Sequence, residues 1–170
     1  MPNNPAPRRR SLRLPAYDYS QAGAYCITVC THNRFMLFGE VVADDVRLEQ
    51  IGMLVKQTWD NLPTHYDGID LDAFIVMPNH VHGIIILADQ PAMRCGIPEI
   101  VRGFKTVSAR RVNEREGRRG ALWQRGYYEH VIRNEKALNS IRDYIASNPA
   151  RWADDPDNIS RSAYAEKGRV

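Results

Sequence analysis

The stretch IDLDAFIVMPNHVHGIIIL (residues 69–87) decides the fold, because it contains two apolar runs separated by a Pro-Asn pair. Residues 69–77 and 80–87 are short segments rich in β-branched residues, which is typical of strands. Pro78 and Asn79 between them are typical of a tight turn. The sequence therefore predicts two strands that run into one another through a turn and pair side by side.

The chain on both sides of this hairpin supplies the rest of an α+β domain. Apolar residues recur at strand or helix spacing, and Pro63 and Pro149 mark helix ends. These patterns predict strands at residues 24–32 and 126–132 and helices at 47–63, 99–113 and 134–149. The order is β-α-β-β-α-β-α, and its first six elements match the ferredoxin-like split βαβ pattern. We therefore expect a ferredoxin-like, RRM-like antiparallel sheet backed by helices, followed by a C-terminal helix.

Length and composition predict one globular domain with flexible ends. The 170 residues divide into a basic N-terminal arm (1–15), a folded domain (16–153) and a polar C-terminal tail (154–170). The three cysteines form no CxxC pair, so we expect reduced thiols and a cytoplasmic protein. No signal peptide is recognisable, and the longest apolar run is too short to span a membrane.

Positive charge is concentrated in two zones of the chain. The net charge is only +3, yet residues 1–15 hold four arginines and no acidic residue. Residues 94–125 hold nine basic residues against three acidic ones. Such zones favour a polyanionic partner such as nucleic acid, although a solvated helix face gives the same pattern.

His80 and His82 are the first candidate site residues. Residues i and i+2 of a strand project from one face, so the two imidazoles lie together, with Cα atoms about 6.5–7 Å apart. The turn places them at the start of the strand, where we expect water and substrate to reach them. That spacing suits two ligands of one metal ion, but two surface histidines would look the same. Position 84 is Ile, which argues against a histidine-triad hydrolase.

Tyr144 and Asn148 are the second candidate pair, because residues i and i+4 share a helix face. That face offers both a nucleophile and an oxygen ligand. Leu138, Ile141 and Ile145 lie close to the same face. Tyr144 as a core aromatic and Asn148 as a helix-end residue therefore remain open alternatives.

Several blocks of the chain resemble one enzyme family. MPNHVHGII resembles the His-hydrophobe-His signature of HUH single-tyrosine nucleases. Three further blocks are similar to the REP-associated tyrosine transposases within that superfamily. They are RLPAYDYSQAGAYCITVCTHNRFMLFGE, GIPEIVRGFKTVSAR and LWQRGYYEHVIRNEKALNSIRDYIASNPARW. The resemblance covers residues 11–153 in order.

The resemblance implies a transposase that nicks and rejoins single-stranded DNA near hairpins through a 5′-phosphotyrosine. It implies Tyr144 as the nucleophile, since YIASN matches the family's helical Tyr-x-x-x-polar motif. It also implies a divalent Mg²⁺ or Mn²⁺ ion held by His80, His82 and Asn148. Relatives often have Gln where this chain has Asn148. Rejoining conserves the phosphodiester energy, so no nucleotide cofactor is expected.

The expected partner is single-stranded DNA, bound by a monomer or homodimer with no membrane involved. Trp123, Tyr127 and Tyr128 are candidates for stacking on unpaired bases, although all three fit a core position equally well and strand alternation turns one of the two tyrosines inward. The alternative function is a non-catalytic nucleic-acid-binding module on the same fold. His32 and His130 receive no assigned role. The expected DNA contacts are Arg102, Lys105, Arg110 and Arg125.

Overall fold

The computed structural model describes residues 17–89 and 95–158. Its strands and α-helices have the following bounds, in chain order. They are β1 (Gly23–Cys30), β2 (Gly39–Val42), β3 (Asp45–Leu48), α1 (Gln50–Asp60), β4 (Ile69–Met77), β5 (His80–Leu87), α2 (Ile97–Glu116), β6 (Tyr128–Ile132) and α3 (Glu135–Ser147).

The main sheet has the strand order β4-β5-β1-β6, and every neighbouring pair in it is antiparallel. This is the order that the ferredoxin-like pattern requires, so the predicted fold class is confirmed. The central strands β5 and β1 pair over their whole length, from Gly23 opposite Leu87 to Cys30 opposite His80. β4 and β6 form the two edges of the sheet.

The strands β2 and β3 form a hairpin that the sequence pattern does not predict. The predicted helix over 47–63 begins too early, because Arg47 and Leu48 belong to β3 and the helix starts at Gln50. The hairpin turn also lacks the usual signal. Ala43 and Asp44 both have positive φ, 49° and 63°, where a two-residue hairpin turn normally uses Asn-Gly. The predicted element order is therefore incomplete.

The two faces of the main sheet bury different groups. On one face, alternate residues of β1 such as Tyr25, Ile27 and Val29 are fully buried in the core that includes residues of α1 and α2. On the other face, Ile84 of β5 and Ile132 of β6 pack with Ile145 of α3. Because α3 covers this second face only in part, it is the face on which a site can open.

The ends of the chain are described in part. The predicted arm at residues 1–15 lies outside the described residues, as do residues 159–170 of the predicted tail. A 3-10 helix (Pro149–Asp154) follows α3, and residues 155–158 continue from it. No helix in the described part of the chain is long and apolar enough to cross a membrane.

Candidate active site

The two histidines of β5 form a close pair on the α3 face of the sheet. The imidazole centroids of His80 and His82 lie 4.6 Å apart, and Val81 between them points into the opposite core. Both side chains are buried, with exposed fractions of 1% for His80 and 6% for His82. The expectation of a freely accessible strand end is therefore wrong, because residues from the C-terminal part of the chain cover the pair.

Each imidazole is held through its Nδ1 atom. The Nδ1 atom of His80 lies 2.8 Å from Oδ1 of Asn79, and that of His82 lies 2.7 Å from Oγ1 of Thr28. The Nε2 atom of His80 is buried and has no hydrogen-bond partner within the described residues. An imidazole fixed through one nitrogen presents the other in a defined direction, which is the usual arrangement of metal-binding histidines.

Burial keeps both imidazoles neutral at physiological pH. Desolvation lowers the pKa of His80 to about 4, and the nearby Arg34 guanidinium acts in the same direction. Desolvation, followed by the neighbouring His80, lowers the pKa of His82 to about 3. Neutral imidazole is the form that binds a metal ion.

These lowered pKa values predict acid instability of the metal-free protein. The unfolded histidines bind protons below pH 6.5, whereas the folded His80 and His82 resist protonation until about pH 4 and pH 3, respectively. The free energy of unfolding should therefore fall by about 2 kcal/mol per histidine between pH 7 and pH 5. Chemical denaturation at both pH values measures this loss.

The control for this prediction is the double variant His80→Ala/His82→Ala, which should lose less stability over the same pH interval. Asp157 has the opposite effect on stability as the pH falls, because burial raises the pKa of its carboxyl group and the folded state therefore binds this proton more readily than the unfolded state does. Equal acid sensitivity in the wild type and the double variant would show that these imidazoles are not the cause.

Tyr144 lies beside the imidazole pair. Its ring centroid is 5.4 Å from that of His82, and 42% of the side chain is exposed. Its helix neighbour Ile145 is 2% exposed and fills the contact between α3 and the sheet. The alternative of Tyr144 as a core aromatic is therefore wrong, and its phenol is accessible next to the histidines.

Asn148 follows Tyr144 by one helical turn and is 2% exposed. Its Oδ1 atom is buried without a hydrogen-bond partner in the described part of the chain. Trp152, four residues later, has its ring centroid 5.9 Å from that of His80. The sequence analysis did not single out Trp152, whose position depends on the 3-10 helix after α3.

An ion pair fixes α3 on the sheet. The guanidinium of Arg142 donates two hydrogen bonds to the carboxylate of Asp72 on β4, at 2.9 and 2.6 Å. This ion pair holds the pKa of Asp72 below its usual value. Because Arg142 is two residues from Tyr144, this bidentate contact limits the movement of the phenol relative to the sheet.

The four predicted DNA contacts do not form one cluster. Arg102, Lys105 and Arg125 line an open cavity of about 600 Å³ with Tyr127, beside α2. Arg110 lines a different cavity, between α1 and α2. Since α2 packs on the sheet face opposite α3, none of these side chains lies on the face of the imidazole pair.

Lys105 is engaged within the protein. Its ammonium group donates to the carbonyl oxygens of Gln124, Arg125 and Gly126, at 2.7, 3.1 and 3.1 Å. Three donors with three acceptors use the full capacity of the group. Lys105 therefore fixes the segment that leads into β6, which the sequence could not indicate.

Tyr127 and Tyr128 divide between the two faces, as strand alternation predicts. Tyr127 packs against the α1/α2 core, whereas Tyr128 is 49% exposed. Tyr128 pairs with Thr28, which in turn pairs with His82. Tyr128 therefore lies on the site face, on the edge strand and in the same row as His82. His130 is on the same face, and it and His32 are both exposed.

Comparison with known proteins finds a matching family model and related proteins. The family model described as "Transposase IS200 like" matches residues 21–148. An uncharacterized protein of Haemophilus influenzae is 38% identical over 168 residues, covering 86% of this chain and 91% of that protein. A second protein of that organism, named "Putative REP-associated tyrosine transposase", is 25% identical over 146 residues, covering 79% of this chain and 74% of its own.

The fold also resembles that of a solved structure. A REP-associated tyrosine transposase bound to a REP hairpin superimposes with a TM-score of 0.60. The alignment covers 82% of this chain and 73% of that one, at 21% sequence identity. At that identity the likeness shows a shared fold.

Proposed function

Because this chain belongs to the IS200-like transposase family, we propose that it cuts and rejoins single-stranded DNA through a covalent tyrosyl–DNA intermediate. Tyr144 is the nucleophile in this proposal. The observation that carries it is the contact of the half-exposed Tyr144 ring with His82, 5.4 Å between centroids. Membership of a transposase family favours this reading over a non-catalytic binding module.

The proposal includes a divalent metal ion, Mg²⁺ or Mn²⁺, bound by His80, His82 and Asn148. Two buried polar atoms that have no hydrogen-bond partner among the described residues, His80 Nε2 and Asn148 Oδ1, fit such an ion. No group of three His, Cys, Asp or Glu residues suited to a metal occurs in the described ranges, and in this proposal the Asn148 amide oxygen is the third protein ligand. A bound divalent ion supplies charge stabilisation to the scissile phosphate, and imidazole ligands favour Mn²⁺ over Mg²⁺.

The proposed reaction transfers the scissile phosphate from a 3′ oxygen of the DNA to Tyr144. The Tyr144 hydroxyl oxygen forms a bond to phosphorus, and the bond from phosphorus to the 3′ oxygen breaks. The tyrosyl proton is lost and the released 3′ oxygen gains one, so a free 3′-hydroxyl and a 5′-phosphotyrosine result. Attack by a 3′-hydroxyl on the phosphotyrosine reverses the step, and no nucleotide is consumed.

The substrate in the proposal is single-stranded DNA next to a hairpin. The structural relative is bound to a REP hairpin, which supports a DNA partner of that kind. The test is incubation of the protein with a labelled hairpin-bearing strand and Mn²⁺, followed by a denaturing gel. A labelled band that migrates with the protein supports the proposal. Free products without such a band would indicate a simple phosphoesterase, and binding without cleavage would indicate a non-catalytic module.

The groove beside α2 is the proposed contact for DNA phosphates. Arg102 is largely exposed there, and Arg125 lines the same cavity. Neutralising both, as Arg102→Gln/Arg125→Gln, should weaken binding and reduce the slope of log affinity against log salt by roughly 0.7 per lost single-strand phosphate contact. A salt titration of binding measures this slope.

Arg110→Gln is the matched control for this prediction, because Arg110 lies on the same helix as Arg102 but lines another cavity. We leave Arg110 out of the proposed contact for that reason. Lys105 contributes indirectly, by holding the segment that carries Arg125. A salt slope unchanged in the double variant, or reduced equally in Arg110→Gln, would remove the groove from the interface.

Tyr128 is proposed to stack on an unpaired base. It is 49% exposed on the edge strand of the sheet, in the row that contains His82. Stacking on an aromatic side chain contributes about 1–3 kcal/mol per base, so Tyr128→Ala should weaken single-strand binding by a corresponding factor. Met53→Ala is the control, an equally exposed apolar side chain on α1. Equal affinities of the two variants would contradict this role.

A further inference from the structure

Asn79 directly precedes His80, and both the NH₂ group and the oxygen of its side-chain amide have hydrogen-bond partners. Its Nδ2 group donates to the carbonyl oxygen of Asp157 at 2.7 Å and to that of Arg34 at 3.2 Å. Its Oδ1 atom lies 2.8 Å from Nδ1 of His80. The residue is 1% exposed, so water cannot replace these contacts readily.

These contacts determine which way the Asn79 amide faces. A carbonyl oxygen only accepts hydrogen bonds, so the group facing two carbonyl oxygens must be the NH₂ donor. Rotating the amide by 180° would place its oxygen against both carbonyl oxygens and leave three acceptors unsatisfied. Oδ1 therefore faces His80 and accepts, which makes His80 Nδ1 the nitrogen that carries the proton.

We infer that Asn79 is a positioning residue of the active site, which fixes the tautomer and direction of His80 and is itself held by the segment 155–158. With the proton on Nδ1, the buried Nε2 of His80 carries the free lone pair. That is the atom a metal ion would bind. The inference concerns the metal centre and so rests on the proposed function.

Arg34 provides one of the two carbonyl groups that orient Asn79 and anchors the segment that provides the other. Its own carbonyl oxygen is one acceptor, and its guanidinium forms an ion pair with Asp157 and a 3.3 Å hydrogen bond to the carbonyl of Pro156. Asn33 and Arg34 have φ values of 53° and 57°, which side-chain-bearing residues rarely adopt. Such backbone persists only where the surroundings fix it, as the Asp157 contacts do here.

The segment 155–158 is thus part of the site although it follows the family match, which ends at residue 148. Two hydrogen bonds connect it to His80, one between the Asp157 carbonyl oxygen and Asn79 Nδ2 and one between Asn79 Oδ1 and the imidazole Nδ1. The predicted polar tail from residue 154 therefore begins with residues that support the catalytic histidine.

The first test is the tautomer of His80 in the metal-free protein. Two-bond ¹H–¹⁵N NMR of the full-length protein labelled with ¹⁵N-histidine distinguishes a proton on Nδ1 from one on Nε2. We expect His80 in the wild type to be protonated on Nδ1 alone. A wild-type His80 protonated on Nε2 would overturn the inference, whatever the variants do.

The second test uses two substitutions at position 79. Asn79→Leu removes the acceptor at similar volume, so His80 should populate both tautomers while His82, held by Thr28, keeps its own. Asn79→Asp loses the two hydrogen bonds to the carbonyl oxygens of Arg34 and Asp157, but it keeps an acceptor oxygen next to His80 and should keep the Nδ1 proton. Loss of a residue that hydrogen-bonds a metal ligand typically weakens metal binding 10–100-fold. We therefore expect the Mn²⁺ affinity to fall by about that factor in Asn79→Leu and by less in Asn79→Asp.

The outcomes separate this inference from the proposed function. A wild-type protein that binds no Mn²⁺ would contradict the proposed metal centre. The tautomer of His80 in the metal-free protein would still test whether Asn79 positions this imidazole. An unchanged His80 tautomer in Asn79→Leu, or Mn²⁺ affinities of Leu and Asp variants that fall equally, would show a purely structural role. If Asn79→Leu does not fold, the wild-type tautomer and the Asp variant decide the matter.

Discussion

Tyr144→Phe is expected to abolish DNA cleavage and the covalent adduct while folding and DNA binding persist. The substitution removes the one oxygen that the proposal requires as nucleophile and keeps the ring that contacts His82. Because the side chain is 42% exposed, its stability effect should be within about 0.5 kcal/mol, as for most surface changes. Cleavage of a labelled strand, binding to the same strand and thermal unfolding measure the three quantities separately.

The matched control is Tyr128→Phe. Tyr128 lies on the same face of the sheet, in the row of His82, and is exposed to a similar extent. Because the ring that stacks on DNA is kept, this variant should cleave and form the adduct as the wild type does. Loss of cleavage in Tyr128→Phe together with an active Tyr144→Phe would move the nucleophile to β6.

His80→Ala and His82→Ala are expected to cause the second large loss. Each removes one of two imidazoles whose centroids are 4.6 Å apart, so each should lower Mn²⁺ affinity by more than the 10–100-fold typical of losing an outer-shell partner. Metal-dependent cleavage should disappear with it. Calorimetric titration with Mn²⁺ and the cleavage assay measure these effects.

His130→Ala is the control for the histidine variants. His130 is exposed and lies on the same sheet face, opposite Cys26. Its variant should bind Mn²⁺ with wild-type affinity. If His80→Ala and His82→Ala retain that affinity too, the ion binds elsewhere or not at all.

The central hairpin could be predicted from sequence with the correct bounds of β4 and β5, but not the register shift between Leu71 and Phe74. Strong apolar runs and a Pro-Asn turn are local signals, so they do not depend on the rest of the fold. The β2–β3 hairpin was missed because its strands are four residues each and its Ala-Asp turn carries no glycine. Leu48 fits both the strand β3 and the apolar spacing of the following helix. The predicted start of that helix is therefore too early.

The site could be predicted less completely, since it is made by parts of the chain that are distant in sequence. Alternation along β5 places His80 and His82 on one face, as predicted. The burial of that pair depends on α3 and on Trp152, which no local pattern indicates. The hydrogen bonds of Asn79 to Arg34 and Asp157 span 45 and 78 residues, so they appear only in the folded chain.

The positions of the basic residues show why charge in the sequence predicts DNA-contacting residues only in part. Lys105, Arg102 and Arg125 line one cavity, but the Lys105 ammonium is fully used by three carbonyl oxygens. Arg110, on the same helix, faces another cavity. Composition indicates a polyanionic partner, whereas the direction and engagement of each side chain require the packed structure.

The most direct test of the central claim is mass spectrometry of the trapped protein–DNA adduct. The wild-type protein is incubated with a hairpin-bearing strand and Mn²⁺, digested with protease and nuclease, and the modified peptide is sequenced. The account predicts a 5′-linked nucleotide on the peptide that contains Tyr144, at the Tyr144 oxygen. A nucleotide on the peptide that contains Tyr127 and Tyr128, or cleaved DNA with no modified tyrosine, would contradict it.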